Sequence, residues 1–192
     1  MDKISRRSLL KQAAAGAALF SAHQSIPSIQ GQTQNTTGSP TPRIRDSFDF
    51  GWKFFKGEAP GAQTPAFSDA GWRSIDLPHD WSVEGPFGEK EPSGGQGGYL
   101  PTGIGWYRKH FSVPASHTDR KVIIEFDGVY ENSEVWINGQ YLGKRPYGYI
   151  PFFYDLTPYL AFGRENIIAV KADNSRQTNC RWYSGSGIYR HT

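Results

Sequence analysis

From Ile44 onward the chain repeats one pattern: short alternating or aromatic-rich runs, each cut off by a turn signal, with little helical periodicity between them. Trp106–Val113 is the first clear run and is closed by Pro114; Lys121–Phe126 follows and is closed by Asp127-Gly128. Glu134–Ile137 and Gln140–Gly143 flank Asn138-Gly139. Asn and Gly both tolerate the positive φ of a type I′ turn, so this pair predicts a two-residue hairpin. Ile150–Tyr154 and Asn166–Lys171 complete the set. Short strands at this spacing, with no helices between them, predict an all-β fold, a β-sandwich or jelly roll. Trp106, Phe126, Trp136 and Phe153 fall within these runs and are expected in the core. No internal repeat is apparent.

Residues 77–101 break the pattern. Leu77-Pro78-His79-Asp80-Trp81 opens the segment and Gly94-Gly95-Gln96-Gly97-Gly98 dominates its end. A long stretch without regular structure inside a compact domain is functional or disordered. Trp81, Phe87 and Tyr99 predict that this one folds down onto the body. The glycine cluster lacks the Lys-Ser/Thr of a phosphate-binding loop and has no helix pattern after it.

The N-terminus reads differently. Lys3, Arg6, Arg7 and Lys11 stand against Asp2 alone, so the first eleven residues account for the whole net charge of +3 and the rest is balanced. A balanced body has no electrostatic footprint for nucleic acid or anionic lipid. Ser5-Arg6-Arg7-Ser8-Leu9-Leu10-Lys11 resembles the twin-arginine export motif, and the apolar run Ala13–Phe20 after it is too short to span a bilayer. Residues 1–30 are expected to be a cleavable signal peptide, residues 31–43 a flexible linker and residues 44–192 the folded domain. Export by that route implies a periplasmic or extracellular protein. Cys180 is the only cysteine, which excludes an intrachain disulfide and CxxC chemistry.

Several motifs come in a fixed order. Leu77-Pro78-His79-Asp80-Trp81 is followed by Gly98-Tyr99-Leu100-Pro101-Thr102-Gly103-Ile104-Gly105-Trp106-Tyr107-Arg108-Lys109, by Phe126-Asp127-Gly128-Val129-Tyr130 and by Val135-Trp136-Ile137-Asn138-Gly139. Gly148-Tyr149, Phe153-Tyr154-Asp155-Leu156-Thr157, Asp173-Asn174-Ser175 and Arg181-Trp182-Tyr183-Ser184-Gly185-Ser186-Gly187-Ile188-Tyr189-Arg190 close the series. Taken together, the set resembles the N-terminal sugar-binding domain of glycoside hydrolase family 2, especially its β-galactosidase branch, over nearly all of residues 44–190. The resemblance implies a jelly-roll β-sandwich ahead of an immunoglobulin-like domain and a catalytic (β/α)₈ barrel. The barrel's two glutamates would hydrolyse β-glycosides with retention. The run reaches Thr192 just after Arg190, where the family pattern continues with an apolar strand. The chain is therefore expected to be truncated or split from its barrel, and inactive alone.

Sugars present vicinal hydroxyls to planar polar groups and C–H faces to aromatic rings. Arg supplies a donor fork and Trp a broad apolar plate. The resemblance implies that residues of this domain help bind the terminal sugar, and by motif position Arg181 is the leading candidate for that contact, with Trp182, Asn174, Asn179 and Thr102 in the Leu100-Pro101-Thr102 turn as further candidates. Asp80 is a candidate too, set against a role capping the adjacent loop; for Arg181 the alternative is bracing against Asp173 or a carbonyl. Gly185 and Gly187 are expected to permit a tight turn. Glu125, Glu131 and Glu134 do not form a recognisable carboxylate pair, and His79, His110, His117 and His191 have no common ligand spacing. No catalytic residue, metal or other cofactor is expected in this chain. The expected partners are a β-galactoside or related carbohydrate and a separately encoded barrel, with no nucleic acid and no membrane span. Two other readings stay open: a free-standing lectin-like module and an inert gene fragment.

Overall fold

The longest ladder in the protein joins two ten-residue strands, β3 (Gly103–Ser112) and β8 (Glu165–Asn174), antiparallel and in register from Gly103↔Asn174 to Ser112↔Glu165. The computed structural model describes residues 43–177 and 182–192. The leader and most of the linker, and with them Asn179, Cys180 and Arg181, lie outside the described residues. Six further strands complete the described set: β1 (Trp52–Lys56), β2 (Arg73–Ile75), β4 (Ile123–Phe126), β5 (Ser133–Ile137), β6 (Gln140–Arg145) and β7 (Phe152–Asp155). They form a six-stranded sheet, β2-β1-β3-β8-β5-β6, and a two-stranded sheet, β4-β7. Among the described residues, the only helical elements are short 3₁₀ turns. No helix among the described residues is long and apolar enough to cross a membrane.

Alternation along the strands builds two cores. On one face of the large sheet, Trp52, Phe54, Tyr107, Val135, Ile168 and Val170 share a cluster with Ile124, Phe126 and Phe152 of the small sheet. Phe126 and Phe152 are register partners and stack at 5.1 Å. Complete burial of such side chains is worth roughly 1.5–3 kcal/mol each. On the other face, Trp106 packs with Ala59, Ala62, Phe67, Trp72 and Trp136. Arg108 secures this second layer. Fully buried, it donates to Asp69 Oδ2 at 2.8 Å and to the carbonyls of Ala62, Thr64 and Phe67. A buried cation persists only with its donors satisfied in this way.

The Asn138-Gly139 hairpin forms as expected, with φ of 50° and 82° at its two central residues. Asn138 also ties the turn to the start of β8, donating from its side chain to Tyr159 O and Asn166 Oδ1 and accepting from Ile167 N. Trp106 and Phe126 are buried, and Trp136 is half-buried against Trp106. Phe153 is a correction: it is 65% exposed, because the pleat of β7 turns Phe152 inward and its neighbour outward. Strands β1 and β2 were not anticipated. In β1 the alternation of Trp52 and Phe54 is obscured by Phe55, which faces out, and β2 has only three residues.

Candidate functional site

The closing run is held against the 77–101 loop by a buried polar junction. Asp80 Oδ1 accepts from the backbone N–H groups of Ser82 (2.9 Å) and Ser186 (2.8 Å), while Oδ2 accepts from the Tyr183 hydroxyl (3.0 Å). Burial first, and then the Asp80 charge, pushes the Tyr183 hydroxyl up to about 12, so it remains a donor at any physiological pH. The Ser82 hydroxyl is 2.6 Å from both the Pro101 carbonyl oxygen and the Ser186 hydroxyl, and Asn174 Nδ2 donates to that same Ser186 hydroxyl at 2.8 Å. One aspartate and two serines thus join the loop, the Pro101-Thr102 turn, the end of β8 and the closing run.

Two glycines make this contact possible. A Cβ on Gly185 would collide with the Asp80 carboxylate, and one on Gly187 with the Tyr107 hydroxyl and the Trp81 ring. Gly187 also has φ of 99° and exchanges both backbone hydrogen bonds with Tyr130. The need for glycine here is close approach as much as turning. Below the junction, His79 is buried with Nδ1 2.8 Å from the Tyr107 hydroxyl and Nε2 2.8 Å from Arg73 Nη2. Burial holds the imidazole below its usual range, although Glu84 pulls the other way. His79 is therefore structural.

Of the candidate residues, Thr102, Asn174 and Trp182 line one small depression, together with Ser93, Gln177 and Ser184. Trp182 is 73% exposed. Asn174 is 1% exposed and spends its side chain on Ser186 and Gln177, so it braces the site. Asp80 does what the capping alternative foresaw, with wider reach: it caps Ser82 locally and Ser186 across the fold. Asp173 accepts from the backbone and side chain of Ser175. Phe87 and Tyr99 are exposed, so the 77–101 loop is anchored by Leu77, Trp81, Ser82, Ser93 and Leu100. Ser82, Ser186 and Tyr183 carry the junction and had no predicted role; 104 residues separate the two serines, and no local pattern marks them as partners.

The family model described as glycosyl hydrolases family 2, sugar binding domain, matches residues 97–192, which contain the whole closing run. The chain belongs to glycosyl hydrolase family 2. Over 151 residues it is 56% identical to the β-galactosidase BoGH2A of Bacteroides ovatus, a match covering 79% of this chain and 18% of that protein. A putative β-glucuronidase of Formosa agariphila is 46% identical over 147 residues, covering 77% of this chain and 14% of its own length. The crystal structure of a β-glycosidase from Bacteroides vulgatus superposes with a TM-score of 0.73 at 53% identity, covering 76% of this chain and 19% of that one. This family 2 chain thus spans under a fifth of the length of these relatives.

Proposed function

We propose that this family 2 domain forms one wall of a β-galactoside-binding site whose catalytic glutamates sit on a (β/α)₈ barrel, on a separately encoded chain or in a longer product. Trp182 offers a plate to the sugar's C–H face. Thr102 and, by motif position, Arg181 and Asn179 offer hydrogen bonds to its hydroxyls. Asp80 and Asn174 act behind them as braces. The observation that carries this reading is Trp182, 73% exposed beside Thr102 on a run locked by the Asp80–Ser186 junction. Preorganisation of that kind lowers the ordering cost of binding. The sandwich is of the jelly-roll type, and the Arg6-Arg7 leader directs the folded chain out of the cytoplasm.

A chimaera tests the reading. Residues 44–192 replace the matching domain of the Bacteroides ovatus relative, and a chromogenic β-galactoside reports turnover. The chimaera turns over, Arg181→Ala raises its KM, and the 192-residue chain alone shows none. Turnover by the chain alone, or a KM indifferent to Arg181, overturns the proposal. Export is tested by fractionation: Arg6→Lys with Arg7→Lys retains the chain in the cytoplasm.

A further inference from the structure

The edge of a sheet can pair with another strand, and proteins blunt their edges with short strands, basic residues, bulges and proline. Three edges of the described sheets carry such devices. Strand β2 is three residues long, β6 bears Lys144 and Arg145 opposite a register shift, and β7 runs from Pro151 to the Lys121–Asp155 ion pair. The edge of β4 facing away from β7 is different. Ile123–Phe126 holds no proline, basic residue or bulge, and no described strand pairs with it there.

Alternation fixes what that edge presents. Val122 O accepts from Leu156 N, and Ile124 and Phe126 lie opposite Tyr154 and Phe152. These residues bond to β7, so Ile123, Glu125 and Asp127 turn their N–H and C=O groups the other way. Asp127 N donates to His191 O at 3.0 Å, in agreement with that phase. The next carbonyl points oppositely: Thr192 O accepts from Phe48 N at 2.8 Å. His191-Thr192 thus lies as a middle strand between the end of β4 and the segment leading into Phe48. That segment stays beside β4, since Arg45 Nη2 is 3.2 Å from Glu125 Oε2. Extended Arg and Glu side chains together span the roughly 9.5 Å between strands two places apart. Burial keeps one phase across all three: Ile124 and Phe126 face the core with Thr192 Oγ1, while Ile123, Glu125 and His191 face out.

We propose that β4 and residues 44–47 border an acceptor slot for one extended strand of another polypeptide, antiparallel to β4 as the Tyr130–Gly187 bridge already is. The occupant alternates. It sets a β-branched apolar side chain inward, opposite Ile124, and uncharged residues outward, where Arg45 and Glu125 already neutralise each other. The N–H and C=O groups of Ile123 and Glu125 supply the pairing, as in strand addition generally. The slot contains none of the proposed sugar-facing residues, so it and the proposed function can fail separately.

Amide hydrogen exchange provides the test. The ¹⁵N-labelled 192-residue chain is mixed with a capped Thr-Val-Thr-Val-Thr peptide at about 2 mM. A slot with Kd of about 0.5 mM is then about four-fifths filled, and exchange at Ile123 and Glu125 slows about fivefold. Ile124, already bonded to β7, changes less. The same peptide N-methylated at its valines and central threonine cannot donate to either border and gives no slowing. Unchanged exchange at Ile123 and Glu125, or equal slowing by the methylated peptide, overturns the slot. Protection that rises with protein concentration and without peptide places a second copy on the edge, and overturns it too.

Discussion

The Asn138-Gly139 hairpin and the closing run are both turns stabilised by side chains, yet they are built on different length scales. The hairpin is specified by its own two residues and is also bonded to β8. The closing run is specified from more than a hundred residues away, by Asp80 and Ser82. The first should stay a turn with its partners gone; the second depends on a loop that holds no strand and a single 3₁₀ turn, Gly95–Gly97. Local chemistry can place a scaffold, while a recognition surface needs contacts that close only when the whole domain has folded.

Substitutions should expose that asymmetry, most severely at the closest contact. Gly187→Ala drives a Cβ into Tyr107 and Trp81 at positive φ and should cost about 2–4 kcal/mol, read by urea denaturation. Asp80→Ala strands the Ser82 and Ser186 amides and the Tyr183 hydroxyl, for an expected loss of about 2–3 kcal/mol. Asn138→Gly keeps the turn conformation and removes only its side-chain bonds, so about 1 kcal/mol should be lost. A hairpin variant that cost more than the Asp80 variant would reverse the comparison.

Two histidines should give smaller, oppositely signed pH effects. Burial lowers His79 below its ordinary value of 6.5, so the unfolded chain takes the proton first; its contribution is full above that pH and declines as pH falls. His110 is raised above the same value: burial opposes the shift, but hydrogen bonds to Glu165 and Asp69 outweigh it. Its contribution is full below pH 6.5 and is lost as pH rises through the raised value. Denaturation across pH 5 to 8 should therefore show His79→Gln flattening the acid side and His110→Asn the alkaline side.

The same contrast explains what could be read in advance. Six of the eight strands lie in runs whose alternation or turn residues are contiguous, and the hairpin turn was visible in two letters. Strand β1 was hidden because Phe55 breaks the Trp52–Phe54 alternation, and Phe153 was misplaced because Phe152-Phe153 reads the same from either face. At the site, Trp182 and Thr102 were legible as residue types suited to sugar, and they line one depression. The serines joining them were not, since a serine pair 104 residues apart leaves no periodic trace. Glycines that serve close approach look no different in sequence from glycines that turn.

Under the proposed function the closing run is a preorganised sugar-binding wall whose plate is dispensable for folding. The direct measurement is KM and kcat for Trp182→Ala in the chimaera, with its melting temperature alongside. A plate that binds ground state and transition state alike predicts KM raised about tenfold, kcat little changed and stability within about 0.5 kcal/mol of the parent. An unchanged KM, or a loss of stability matching that of Asp80→Ala, would contradict it.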